Sequence, residues 1–282
     1  MSALAPLQEL FDPTTGDDLP LPSALASLYG RLPMPRQAAR PHVVGNFVSS
    51  LDGVVSLGIP GKAGGGEISG FNPHDRMVMG LLRAVADAVV IGAGTLRASS
   101  QEHVWTADYI YPPLTDAYRE LRIALGKPEP PLNVVVTASG DIDLERRLFR
   151  SGEVPSLIVT TAAGARCLRD RDLPPSARVE VAAAAGPLCA RAVLDTVGRT
   201  RQSDVVLIEA GPRLMSDFFA ERLIDELFLT LAPQVAGRDS AIERPGFVSG
   251  KQFAPENSVW GTLVSLKRGG DHLFLRYAFA GS

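Results

Sequence analysis

The chain has 282 residues, a net charge of −3, 45% hydrophobic residues and 21% charged ones. That balance, in a chain long enough to bury a core without staples, excludes a disordered or fibrous protein. No apolar run reaches the roughly 18–20 residues of a membrane span, Met1 to Leu10 lacks the basic-then-apolar pattern of a secretory signal, and the mild acidity speaks against nucleic acid as a partner. Two cysteines, Cys167 and Cys189, make no Cys-x-x-Cys, and the four histidines have no zinc-ligand spacing. A reducing, cytoplasmic setting and no metal are expected.

Residues 1–40 read as an N-terminal arm. Seven prolines, from Pro6 to Pro41, break every long element, and only Ser23 to Tyr29 suits a short helix. The arm either lies on the main domain, 41–282, or on a partner subunit, or is a loose tail. From Pro41 strands and helices alternate. Val43 to Leu51 is a predicted strand ending in Asp52-Gly53. Alternation puts Val44, Asn46, Val48 and Ser50 on one of its faces, where a buried Asn46 needs partners. Asp52-Gly53 is also an ordinary turn pair. Gly58 to Glu67 reads as a mobile loop or lid, since no Ser or Thr follows Lys62 as a phosphate loop requires.

Asn72-Pro73 opens a helix, with Asn as cap and Met77, Val78, Leu81, Leu82 and Val85 as its apolar stripe. The strand Ala88 to Ile91 runs into Gly92-Ala93-Gly94-Thr95, a turn that lets backbone approach an anion, although Gly-x-Gly also simply punctuates loops. Glu102 to Pro131 is loop-like, with one helix around Asp116 to Leu125. Strands follow at Val134 to Thr137 and Leu157 to Thr161, then a helix at Ala190 to Val197 and a strand at Val205 to Ile208. Glu209-Ala210-Gly211-Pro212-Arg213-Leu214 repeats the strand–turn–helix physics, and Arg213 to Arg222 is helical. Two such turns suit a dinucleotide's pyrophosphate, with Glu209 either beside it or merely solvated. Leu227 to Leu231 and a hairpin, Val259 to Leu266 with Leu273 to Phe279 about Arg268-Gly269-Gly270-Asp271, complete the chain. The result is a three-layer α/β/α fold on a mixed, mostly parallel sheet. The closing strands would leave a bare edge, which a second subunit would cover in a homodimer.

In their order, five stretches resemble the reductase domain of riboflavin biosynthesis, the C-terminal half of the bifunctional deaminase-reductase. They are Asn46–Gly53, Leu81–Ala84 with Ala86–Val89, Gly92–Thr95, Glu209–Leu214, and Asp225–Leu227 with Ala232-Pro233. The resemblance implies a dihydrofolate-reductase-like fold, a homodimer, and NADPH-dependent reduction of the ribosyl group of an aminopyrimidine ribosyl phosphate to ribityl. It implies that Ser49, Gly92, Gly94, Thr95, Thr137, Ser139, Ala210, Gly211, Pro212 and Leu214 meet the cofactor. Asn46, Ser50 and Arg83 would face the substrate, and Asp52 and Glu209 would be catalytic, with Asp52 orienting or passing a proton. By position rather than by the resemblance, Thr160, Thr161 and Arg166, which end and follow a predicted strand, are the candidates for a 2′-phosphate.

The chain also departs from the family pattern. Ser99 and Ser100 stand for two aspartates, Ala138 stands for a serine, and the arginine expected before Thr106 is missing, with Arg97 a possible substitute. Arginine is the natural phosphate clamp. The alternatives are therefore the same chemistry on a phosphate-free substrate such as dihydrofolate or another pterin, and a nucleotide-binding module without turnover.

Overall fold

A computed structural model describes residues 4–34, 40–59 and 62–279. In chain order the elements are β1 (Gln8–Phe11), α1 (Ser23–Tyr29), β2 (His42–Ser49), α2 (Gly65–Ser69), α3 (Pro73–Val85), β3 (Ala88–Gly92), α4 (Ala93–Ala98), α5 (Ala107–Ile110), α6 (Thr115–Ala124) and β4 (Leu132–Thr137). Then come α7 (Arg147–Arg150), β5 (Ser156–Thr161), α8 (Ala162–Arg169), β6 (Ala177–Ala183), α9 (Ala190–Thr200), β7 (Val205–Ile208), α10 (Pro212–Ala220), β8 (Glu226–Leu231), β9 (Thr262–Gly269) and β10 (His272–Ala278). Among the described residues no helix is long and apolar enough to cross a membrane.

One ten-stranded sheet has the order β1-β9-β10-β8-β2-β7-β3-β4-β5-β6. From β8 to β6 all neighbours are parallel, and β10, β9 and β1 add antiparallel pairs. Adjacent residues of the central strands feed opposite cores. Val44, Val89, Val135, Ile158 and Leu207 pack toward α1, α3 and α6. Val43, Ala88, Val134, Leu157 and Val206 pack toward α9 and α10. Strands covered on both faces must be apolar throughout, which is why they read as unbroken runs.

Asn72 caps α3 as its sequence requires. Its Oδ1 accepts from the backbone N–H groups of His74 and Asp75, at 2.8 and 3.2 Å. Its Nδ2 then donates to Nδ1 of His272, 3.0 Å away, leaving Nε2 of His272 to donate to the Ser69 carbonyl. One cap thus ties α3, α2 and the β9–β10 hairpin together at the end of the sheet where the parallel strands finish.

The expected bare edge is corrected by the arm. Its β1 pairs antiparallel with β9, Gln8 opposite Arg268, so the closing hairpin needs no strand from elsewhere. Leu25 and Leu32 of the arm are fully buried. The Lys267 ammonium sits 4.9 Å from the Tyr29 ring and 3.4 Å from Glu9, and Arg276 pairs with Glu226 while donating to the Pro33 carbonyl. Residues 1–3 and 35–39 of the arm lie outside the described residues.

Candidate active site

Parallel α/β sheets present ligands at the carboxyl ends of their strands. Here β2, β7, β3 and β8 end together. Glu209, the residue after β7, lies beside Asn46, which follows the last paired residue of β2 against β7. The Asn46 Nδ2 donates to Glu209 Oε1 at 3.2 Å. Arg83, from the last turn of α3, donates through Nε and Nη2 to Glu209 Oε2, at 3.1 and 2.8 Å, and through Nη1 to the Thr106 carbonyl. Arg83 is 1% exposed and Glu209 9%. Arg83 therefore reaches a ligand only through Glu209: it fixes the carboxylate and the Leu96–Thr106 segment in one stroke.

Asp52 and Ser50 form a closed turn. The Ser50 hydroxyl donates to Asp52 Oδ1 at 2.6 Å and accepts from the Val54 N–H, and Ser50 is fully buried. The other acceptor positions of Asp52 take the N–H groups of Ala236 and Gly237, at 3.0 and 2.8 Å. The hydroxyl of Ser50, then these backbone donors, pull the Asp52 carboxyl down to about 2. Such a group is ionised at every working pH and has no proton to give. Its geometry is that of an orienting residue, and Ser50 is its support.

The structure adds a buried acid that none of the motifs read from the sequence singles out. Asp75, in the first turn of α3, is 4% exposed. Burial, first of all, and the nearby Glu209 carboxylate raise its pKa, against the hydroxyls of Thr230 and Ser69 and the imidazole of His272. Among the described residues no cation pairs with it in the way Arg83 pairs with Glu209. The signal in the sequence was its place: an acid at the start of the helix whose last turn carries Arg83, running back along β2.

The two glycine turns meet. A Cβ on Gly211 would lie 3.5 Å from Thr95 Oγ1, whereas at Gly92 and Gly94 it would meet open space. The α10 N-terminus has Gly211 as its cap with no side chain bonded to it, and Pro212 as its first residue, so its next N–H groups face outward. Ala210 is buried and Leu214 half-buried beside them. This cradle, open above bare backbone and lined by Thr95, fits a pyrophosphate.

Farther along, Thr137 Oγ1 accepts from the Gly140 N–H, and Ser139 is exposed. Gly140 has φ +72° and lies against Gly164, the third residue of α8. Ser49 is buried with its hydroxyl on the Ser50 carbonyl. Of the residues expected at a 2′-phosphate, Thr161 caps α8 and bonds the Ala138 carbonyl, and Thr160 is fully buried beneath Gly164, so only Arg166 is exposed.

The segment with the altered residues is held by Arg146, whose Nη1 donates to the carbonyls of Ser99 and Ser100. Beyond it the His103 ring sits between those of Trp105 and Tyr109, tilted 38° and 49° to them, with centroids 4.4 and 4.7 Å away. Burial and then Arg83, Arg76 and Arg146 push its pKa down to about 3, so it is a neutral ring. Arg97 is exposed and leans on the Asp141 carbonyl. The expected lid between Gly58 and Glu67 runs into α2, whose Gly65 lies on Val48 of β2. Pro60 and Gly61 lie outside the described residues.

No curated protein sequence matches the chain. Among solved structures, a pyrimidine reductase-like protein of Corynebacterium diphtheriae superposes with a TM-score of 0.66 at 22% identity, over 86% of this chain and 93% of that one. RibD of Acinetobacter baumannii gives 0.58 at 20% identity, over 86% of this chain and 59% of that longer one. The riboflavin biosynthesis reductase Rib7 of Saccharomyces cerevisiae gives 0.59 at 14%, over 88% and 93%. At these identities the likeness concerns the fold, a three-layer α/β/α sandwich on a mixed, mostly parallel sheet. The model of the RibD C-terminal domain matches residues 41–268, the span that holds Asn46, Arg83, Thr95 and Glu209, and the chain belongs to that family.

Proposed function

We propose that the protein is an NADPH-dependent reductase acting on an aminopyrimidine ribosyl phosphate of riboflavin biosynthesis, converting its ribosyl group to ribityl. The observation that carries this reading is that the Thr95–Gly211 turn and the hydrogen-bonded Asn46–Glu209–Arg83 set both stand at the carboxyl ends of the same central strands, two residues apart along the chain at Glu209 and Gly211. When bound, NADPH supplies the hydride. The chain supplies position and a proton. Arg83 locks Glu209, Glu209 orients Asn46, and the free Asn46 Oδ1 and the remaining Glu209 lone pairs accept hydrogen bonds from a substrate. Asp75, whose carboxyl is pushed upward first of all by burial, is the acid we assign to pass a proton to the nitrogen or oxygen uncovered by hydride arrival. Asp52 orients the turn that carries Ser49.

A second reading, the same chemistry on a phosphate-free pterin such as dihydrofolate, draws on one observation. Where a phosphate-binding arginine is expected, Leu96–Thr106 offers a neutral His103 enclosed by two tilted aromatic rings, and Arg83 is already committed to Glu209. The test is NADPH oxidation by the purified protein, followed by absorbance, with the deaminated ribosylaminopyrimidine phosphate and with dihydrofolate in parallel. Saturable turnover of the first and not the second supports the leading reading; the reverse replaces it. NADPH binding without turnover of either would make the chain a binding module.

A further inference from the structure

The connection from β8 to β9, residues 232–261, is the longest described stretch without a helix or strand. Loops of this length in a compact domain are uncommon and usually functional. This one begins on the substrate side. The Ala232 N–H donates to the Ser49 carbonyl, and the Gln234 carbonyl accepts from the Leu51 N–H. Asp52 then takes the N–H groups of Ala236 and Gly237, while Arg238 returns a bond to the Asp52 carbonyl at 2.7 Å. Arg244 stiffens the bend by donating to the carbonyls of Ala236 and Gly237, and the Pro245 carbonyl accepts from the Val55 N–H.

The same segment then crosses to the other face. Phe247 packs edge-on against Phe47 of β2 and Phe219 of α10. It ends at the cradle: the Ser249 N–H donates to Ser216 Oγ at 2.7 Å and to the Pro212 carbonyl at 3.3 Å. The fully buried Ser216 hydroxyl lies within bonding distance of the carbonyls of both Pro212 and Ser249. Pro212 is the first residue of α10, next to the glycine that faces Thr95.

We propose that residues 233–249 are a strap through which occupancy of the Gly211–Pro212 turn tightens the Ser49–Gly53 corner, with Ser216 and Asp52 as the positioning residues at its two ends. The inference rests on the reading of that turn as the cofactor's phosphate site. An anion drawn against the first turn of α10 moves or stiffens Pro212. Ser216 passes this to Ser249, and the bonds at Asp52 deliver it to the strand end beside Asn46. Cofactor binding then orders the substrate side before the substrate arrives, which is positive coupling.

The experiment is amide hydrogen exchange on the full chain, with and without saturating NADPH. Protection of Ala236, Gly237 and Ser249 is expected to rise together, by about fivefold or more, the lower end of ordinary coupling. In Ser216→Ala the gain at Ala236 and Gly237 is lost although NADPH still binds. In Asp52→Ala the gain at Ser249 persists and that at Ala236 and Gly237 disappears. NADPH binding without any change at Ala236 and Gly237 in the native chain overturns the strap alone. Absence of NADPH binding, measured by calorimetry on the same sample, overturns the cofactor reading and the strap with it.

Discussion

Arg83, Glu209 and Asp75 differ in what surrounds each charge. Arg83 and Glu209 form a buried ion pair; among the described residues Asp75 has no such cation, and burial pushes its carboxyl toward the neutral form. The folded protein therefore binds the Asp75 proton more tightly than the unfolded chain does. Stability that this acid contributes at low pH is lost as pH rises above its unfolded value, near 3.9. Asp75→Asn should raise the melting temperature at pH 8, with the difference shrinking toward pH 4, while kcat falls by roughly 100-fold or more, the usual worth of a positioned acid. Thermal unfolding across pH and steady-state rates check both. A loss of stability at pH 8 with kcat intact would mean that Asp75 only supports the helix start. At this scale the sequence was legible where chemistry follows from a motif. Asn46 and Glu209 do meet, and Thr95 does face Gly211. It was not legible where role depends on burial: nothing in Ser50-Leu51-Asp52-Gly53 says that its hydroxyl and carboxylate turn inward on the 236–237 backbone.

The elements that read clearly were those whose residues all agree. The stripe and cap of α3 predicted Pro73–Val85, and the runs of β3, β4, β5 and β7 predicted strands. The missed elements lack such agreement. In β6, Ala177–Ala183, only the first residue is buried, because it is the outermost parallel strand. In α8, small residues carry the packing. Its Gly164 touches the preceding turn so closely that a Cβ would stand 2.0 Å from Thr160 Oγ1 and 2.8 Å from the Ala138 carbonyl. Gly164→Ala must push α8 off the Ala138–Gly140 turn. About 1–3 kcal/mol of stability should be lost, as overpacking typically costs, together with weaker binding at the exposed Ser139. Denaturant unfolding and NADPH titration measure the two, and an unchanged midpoint would show that the turn yields freely.

For the whole molecule, the arm is structural. Leu7, Leu25, Tyr29, Leu32 and Met34 are buried in the same core as α3 and β8. At about 1.5–3 kcal/mol for each large apolar side chain covered, their loss approaches the entire stability of an ordinary domain, roughly 5–15 kcal/mol. A chain lacking residues 1–34 should aggregate, because it exposes both that core and the flank of β9. Size-exclusion chromatography and a thermal melt decide this, and a soluble product melting within a few degrees of the full chain would refute it. The prolines that made the arm look loose instead route it: extended segments carry α1 and β1 between fixed contacts. Local sequence shows where a chain cannot be helical, but not which distant strand awaits it.

That distance has a consequence for assembly. Gln8 pairs with Arg268, and Val44 of β2 pairs with Glu226. The strand β1 is completed by one far later in the chain, and the central strand β2 lacks both its neighbours until β7 and β8 emerge. Contacts so far apart in sequence are slow to form, because the closure entropy of the intervening chain precedes their reward. During translation the arm must wait, unpaired, for nearly the whole chain, with Leu10 and Phe11 open to other partners. Joining the arm behind β10 by circular permutation would place these strands next to each other in time, and would be expected to speed folding without altering the site.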